Sequence, residues 1–148
     1  MAYDSSNIFA QILRGEIPAH KVYEDGSTIA ILDVMPQAEG HTLIIPKANA
    51  ENLFDLEPAL AAAVMSAGQR VALAARQVFR PEGITLMQFN GAEAGQTVFH
   101  FHLHVIPRYA GKALQTHGRG FADPAVLAEQ AERLRTALRQ DVRRPAPP

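Results

Sequence analysis

Strict alternation in residues 99–105, FHFHLHV, is the feature that most constrains the fold of this chain. Histidine occupies every second position, at His100, His102 and His104, and apolar residues stand between and around them. Successive side chains of a β-strand point to opposite faces of the sheet. The pattern therefore predicts a strand with one apolar face, packed on a core beneath helices, and one imidazole face that points into a groove or a second layer.

The rest of the chain predicts an α+β fold with a short first helix, a long second helix and a last helix. The first helix is expected to begin after Ser6 and to end at Gly15, the second to run from Pro58 to Phe79, and the last to cover residues 124–138. Strands are expected at residues 21–25, 27–33, 41–47, 84–90 and 96–107. Because short links favour antiparallel neighbours, we expect a five-stranded antiparallel meander sheet with the long helix packed on it.

Length and composition indicate one globular domain. The chain has 148 residues, of which 47% are hydrophobic, and this is enough for a sizeable core. We expect a core over residues 1–110, a C-terminal extension over 111–140 whose helix packs on the core or on a dimer partner, and a disordered tail over 141–148.

Charge and cysteine content exclude several classes of function. The net charge of -1 argues against a nucleic-acid-binding surface, and the longest apolar run is too short to span a bilayer. Charged residues near the start argue against a signal peptide, so we expect a cytoplasmic protein without nucleic-acid or membrane partners. The absence of cysteine excludes disulfides and thiolate metal sites.

The histidine face has three interpretations: ordinary strand residues, a metal site or a nucleophilic site. On an extended strand the Cα atoms of His100 and His104 lie about 13 Å apart, so one ion cannot reach all three rings without severe distortion. Two adjacent histidines could share an ion only with further ligands, such as His41 or Asp33. A nucleophilic site needs one imidazole whose Nδ1–H is held by a backbone carbonyl, which leaves Nε2 to attack. His102, flanked on both sides, is best placed for that role.

A glycine-bracketed loop, residues 91–95, stands directly before the histidines. Glycine permits the close backbone approach that an anion needs, and the amides of Gly95, Gln96 and Thr97 together with the Thr97 hydroxyl could donate to phosphate oxygens. By itself the loop is equally consistent with a simple β-turn. Next to the histidine strand it favours a phosphate site.

The pattern HFHLHVI, with histidine and apolar residues in alternation and two apolar residues at its end, resembles the signature of the histidine-triad (HIT) family. The resemblance covers residues 7–25, 30–47 and 87–108, and leaves only the last forty or so residues outside. It implies a HIT-like fold and a homodimer whose two sheets join. It also implies a hydrolase or transferase that acts on the α-phosphate of a purine nucleotide, without a cofactor or a catalytic metal.

The resemblance also implies roles for the histidines. His102 would be the nucleophile, forming a nucleotidyl-phosphohistidine that water resolves. His104 would contact the phosphate or the leaving-group side, His100 would orient the pair, and His41 would support them from a neighbouring strand. We expect His104 or Gln96 to supply the proton or hydrogen bond to the leaving group.

The nucleotide-binding positions follow from the same resemblance. Asp33 matches the position that holds the ribose hydroxyls. The phosphate-loop positions are Asn90, Gly95, Gln96, Thr97 and Val98, and the apolar slot for the base is formed by Ile8, Phe9, Ile12, Leu32 and Val34.

The sequence departs from many bacterial relatives in one respect. Those relatives open with a Cys-x-x-Cys pair that binds zinc, whereas the corresponding stretch here, residues 9–12, has no cysteine. The sequence leaves the substrate open between phosphoramidates and dinucleoside polyphosphates. An alternative function is a nucleotide-binding or scaffold module with little catalytic turnover.

Overall fold

In the computed structural model, residues 2–115 and 120–141 form one five-stranded sheet and three helices. The helices are α1 (Ile8–Leu13), α2 (Pro58–Phe79) and α3 (Pro124–Asp141). The strands are β1 (Lys21–Glu24), β2 (Thr28–Leu32), β3 (Thr42–Pro46), β4 (Gly83–Met87) and β5 (Leu103–Arg108). Nearly all of the tail predicted at residues 141–148 lies outside the described residues.

The sheet is antiparallel throughout, with the strand order β1-β2-β3-β5-β4. The α+β prediction of a five-stranded antiparallel sheet with a long helix packed on it is therefore confirmed. The order differs from a simple meander at one place, because β5 lies between β3 and β4. Val105 shows this directly, since it stands opposite Thr42 of β3 and Leu86 of β4.

The last strand is shorter than predicted, and the expected strand over residues 96–107 is wrong in its first half. The ladder between β3 and β5 begins only at Leu103. Upstream of it, the Phe101 amide donates to the Ala50 carbonyl at 2.9 Å instead of to β3. The alternation of faces nevertheless persists, because Phe101, Leu103 and Val105 all enter the main apolar core.

One face of the sheet, here named the core face, is covered by α2 and α3. It presents Ala30, Ile44, Leu103 and Val105 to these helices. Helix α2 begins with a proline in its first turn and ends where Arg80 adopts a left-handed conformation with φ of 52°, and its bounds are those that the sequence predicts. Proline suits the first turn because the amide it lacks has no partner within the helix.

Helix α3 belongs to the same core. Leu127, Ala131 and Leu134 are buried against it, and α3 contacts both α2 and β1. In the part of the chain that the structure describes, no helix is long and apolar enough to cross a membrane.

Of the described helices, only α1 lies on the opposite face, here named the site face. Phe9 packs there on Ile29, Ile31, Leu43 and Ile45. The helix has six residues, too few to be stable without docking and capping. Its N-cap is Asn7, not the expected Ser6. The Asn7 side-chain oxygen accepts the Ala10 amide at 2.9 Å, whereas the Ser6 amide donates to the Asp4 carboxylate.

Candidate active site

A cavity of about 520 Å³ opens on the site face, beneath α1 and beside the segment that leads into β5. Its walls are mostly apolar, and the polar side chains among them are those of Asp33, Thr97, His102 and His104. Ligand sites commonly combine an apolar pocket with a few convergent polar groups. The lining of the cavity therefore has the composition expected of a site that binds a small organic molecule.

The structure brings most of the sequence-predicted residues to this cavity. Those in its lining are Ile8, Phe9, Ile12, Leu32, Asp33, Val34, Gly95, Thr97, Val98, His102 and His104. Lining residues that the sequence analysis did not single out are Ile17, Pro18, Ala19, Ile31, Met35, Leu43 and Phe89. Strand alternation could have indicated Ile31 and Leu43, whereas the others depend on how loops and α1 fold over the sheet.

His102 is held in one orientation by the backbone. Its Nδ1 lies 2.7 Å from the carbonyl oxygen of His100, and a carbonyl can only accept. In the neutral ring Nδ1 must then carry the hydrogen, so the lone pair lies on Nε2. The ring itself is buried, with the Phe9 ring edge-on at 4.8 Å between centroids.

His104 belongs to a chain of hydrogen bonds that starts at a backbone amide. The Gln37 N–H donates to Nδ1 of His41 at 3.0 Å, and Nε2 of His41 lies 2.9 Å from Nδ1 of His104. Since Nδ1 of His41 accepts, its Nε2 carries the hydrogen and donates to His104. Neutral His104 then carries its own hydrogen on Nε2, where it can serve as a donor.

Asp33, His41 and His104 also have the side chains of a possible metal site. One ligand atom from each lies within 4.8 Å of the others, and all three residues are buried. Ligation through Nε2 of His41 requires that this nitrogen have no hydrogen, yet the amide of Gln37 at Nδ1 requires one there. The hydrogen-bond pattern therefore favours a proton between these groups over a metal ion.

Asp33 faces the cavity from the end of β2. Its Oδ1 accepts the Met35 amide at 2.9 Å, and its Oδ2 lies 3.5 Å from Nε2 of His41. The carboxylate is thus fixed at the cavity wall beside the histidine chain.

His100 differs from the other two histidines because it does not line the cavity. Its Nε2 bonds the Pro46 carbonyl at 2.8 Å, and its Nδ1 bonds the Tyr3 hydroxyl at 2.5 Å. Burial lowers the pKa of His100 below its ordinary value, and the Pro46 carbonyl only partly opposes this. His100 is therefore held outside the cavity by two hydrogen bonds, one at each ring nitrogen. Tyr3 was missed because it is 97 residues distant in sequence.

The loop before the histidines is folded on itself, and this corrects two expectations about its amides. The Gly95 amide donates to the Ala92 carbonyl and the Gln96 amide to the Gly91 carbonyl, both at 3.0 Å. The loop forms a short 3₁₀ turn over Ala92–Ala94, and that turn uses these two donors. They are not available to a phosphate in this conformation.

The Gln96 side chain also has a different position from the one expected for a proton donor. It is buried, its amide donates to the carbonyls of Glu51 and Val98, and its oxygen accepts the Gly91 amide. Both of its N–H groups are used, so Gln96 supports the loop and has no N–H left for the donor role that the sequence predicts. Asn90 likewise lies outside the cavity lining, where its oxygen accepts the amide of Leu53.

Comparison with known proteins agrees with this geometry. The HIT domain model matches residues 14–111. The Hit protein of Bacillus subtilis is 43% identical over 115 residues, which cover 74% of this chain and 79% of that protein. An adenylylsulfatase, HINT3 of Arabidopsis thaliana, is 38% identical over 116 residues, covering 74% of this chain and 59% of that protein.

A solved structure extends the likeness to the fold. The crystal structure of a zinc-bound histidine triad family protein from Mycobacterium smegmatis superposes with a TM-score of 0.83 at 40% identity, covering 93% of this chain and 96% of that one. The chain therefore belongs to the HIT family, whose members are generally nucleotide hydrolases and transferases.

Proposed function

We propose that this protein cleaves a purine nucleotide at its α-phosphate through a nucleotidyl intermediate on His102. The observation that carries the proposal is the 2.7 Å bond from Nδ1 of His102 to the His100 carbonyl, which puts the ring's lone pair on Nε2. The same ring lines the cavity. A positioned neutral imidazole is a competent nucleophile at phosphorus.

The reaction proceeds in two displacements. Nε2 of His102 forms a bond to the α-phosphorus while the bond to the leaving group breaks, and its electron pair departs with that group. Water then attacks phosphorus, and the N–P bond breaks with its pair returning to Nε2. One hydrogen of the water stays on the nucleoside monophosphate as a P–OH group, and the other replaces the proton that the leaving group took when it departed.

His104 supplies the hydrogen bond that the transition state needs. Its Nε2–H, set by the chain from Gln37 through His41, donates to an oxygen of the α-phosphate or to the leaving atom. Charge builds up on these atoms as the bonds change, and a prepositioned donor stabilises it. Gln96 takes no part in this proposal, because both of its N–H groups hold the loop.

The remaining lining residues support recognition of the nucleoside. Ile8, Phe9 and Ile12 of α1 offer an apolar wall for the base, and Asp33 offers a carboxylate acceptor for the ribose hydroxyls. The adenylylsulfatase among the relatives is consistent with an adenine nucleotide.

We also propose that the protein acts as a homodimer. Strand β4 forms one edge of the sheet and pairs with β5 alone among the described strands. Its Leu86 is half exposed, so a second copy could extend the sheet at this edge.

The test is a panel of adenosine phosphoramidate, diadenosine polyphosphates and adenylyl sulfate, with rapid quenching and mass spectrometry of the protein. We expect an added adenylyl group on the peptide that contains His102, release of AMP, and turnover that a chelator does not reduce. His102→Asn is the control. Nucleotide binding without adduct or product would contradict the proposal and favour the module with little turnover.

A further inference from the structure

The N-terminal segment reaches the histidines through one hydroxyl group. The Tyr3 oxygen lies 2.5 Å from Nδ1 of His100, and the Asn7 side-chain amide donates to the same oxygen at 2.8 Å. The two rings meet edge to face, with centroids 5.6 Å apart. We name this set of contacts the Tyr3 clasp.

The direction of each hydrogen bond in the Tyr3 clasp follows from its partners. The Pro46 carbonyl can only accept, so Nε2 of His100 carries the hydrogen and Nδ1 of the neutral ring accepts. Asn7 donates to Tyr3, and Tyr3 donates to His100. Each end of the His100 ring is therefore held by one defined partner.

His100, whose ring is held in this way, also supplies the carbonyl that orients His102. His100 lies outside the β5 ladder, which begins at Leu103, so ladder hydrogen bonds do not fix its peptide group. The position of this peptide group depends on the hydrogen bond from the Phe101 amide to the Ala50 carbonyl and on the two hydrogen bonds of the His100 ring. The carbonyl of the same residue accepts the Nδ1 hydrogen of His102.

We propose that Tyr3 is a positioning residue, which acts through His100 to hold His102 in the tautomer and orientation that attack phosphorus. The proposal rests on the proposed function, because it takes His102 as the nucleophile. It also explains how α1 is joined to the reacting centre, since Asn7 both caps α1 and donates to Tyr3. The helix that walls the cavity and the histidine behind the nucleophile are thereby tied together.

The test compares Tyr3→Phe, which removes only the hydroxyl group, with Tyr109→Phe as a matched control. The Tyr109 hydroxyl donates to the Glu39 carbonyl at 3.0 Å and contacts none of the histidines in the described hydrogen bonds. We expect Tyr3→Phe to lower kcat about tenfold with KM changed less than about twofold, because a buried acceptor loses its partner. Tyr109→Phe should leave both constants unchanged.

A second variant and a spectroscopic reading keep the test decisive. Asn7→Ser retains a capping side chain for α1 but loses the amide that reaches Tyr3, so a smaller fall in kcat is expected, and it replaces Tyr3→Phe if that variant does not fold. Histidine ¹⁵N NMR should show one tautomer of His102, with hydrogen on Nδ1, in the wild type and a mixture in Tyr3→Phe.

Unchanged kcat and an unchanged His102 tautomer in Tyr3→Phe would overturn the proposal, as would a fall in rate that only matches the loss of folded protein. If the wild type turned over none of the nucleotides, the proposed function would fail. The NMR comparison would still decide whether the Tyr3 clasp orients His102.

Discussion

The two faces of the sheet are covered in different ways. On the core face, α2 with 22 residues and α3 with 18 residues bury a large cluster that includes Val71 and Leu134, both fully inaccessible. On the site face, α1 has six residues and buries a smaller cluster around Phe9. The same central strands serve both faces.

This difference separates stability from chemistry. Apolar burial dominates folding free energy, and most of it lies on the core face. The site face leaves room for a cavity of about 520 Å³ and places polar groups such as Asp33 and His102 at its wall. We therefore expect a substitution on the core face to change mainly the free energy of unfolding, and a substitution at the cavity wall to change mainly turnover.

The strongest way to break this comparison is to change His102, the proposed nucleophile. His102→Asn keeps a side-chain N–H for the His100 carbonyl but lacks an imidazole lone pair. We expect turnover to fall more than about 10³-fold while the free energy of unfolding changes by less than about 1 kcal/mol. Steady-state kinetics and denaturant unfolding measure the two quantities. Retention of more than a few per cent of the wild-type rate would rule out His102 as the nucleophile.

A core-face substitution should have the opposite effect. Leu134→Ala leaves a cavity beneath α3 and is expected to lower the free energy of unfolding by about 2–5 kcal/mol. Turnover per folded molecule should remain within about twofold of wild type. Val126→Ala is the control, since Val126 is 45% exposed on the same helix. A large loss of turnover in a folded Leu134→Ala protein would show that the two faces are coupled.

The smallest expected effect comes from exposed charged residues that do not line the cavity. Hydrogen bonds from Lys21 and then Lys47 lower the pKa of the Glu24 carboxyl to about 2. The pKa of Glu24 is lower in the folded than in the unfolded state, so its ion pairs with the two lysines stabilise the protein above about pH 4.5. This contribution is lost as the pH falls toward 2. Because the Glu24 side chain is 41% exposed, less than about 1 kcal/mol is expected.

The check on Glu24 is the difference in unfolding free energy between wild type and Glu24→Gln, measured at several pH values. This difference should be present at neutral pH and should vanish in acid. If it grew as the pH fell, the assigned ion pairs would be wrong.

The sequence predicts best those features that local patterns determine. Helix α2 has its predicted bounds because Pro58 begins it and Ala-rich turns continue it. The alternation around His102 identifies the imidazole face because strand geometry has a period of two. Both inferences need only neighbouring residues.

Long-range contacts account for what the sequence analysis did not predict. The strand stops short of His100 because Phe101 bonds Ala50 in a distant loop. Gln96 is a loop support because the Glu51 carbonyl lies within reach of its amide. Tyr3 has no local pattern that points to His100, and only the folded chain brings them together.

The interior position of β5 has a consequence for when the candidate site is assembled during synthesis. This strand is the last of the sheet in chain order, yet it lies between β3 and β4. Until Leu103–Arg108 has emerged and inserted, β3 and β4 lack their shared neighbour, and His104 cannot reach His41 across the ladder. Because loop closure precedes such non-local pairing, we expect the hydrogen bonds from Gln37 through His41 to His104 to form only when the sheet is complete.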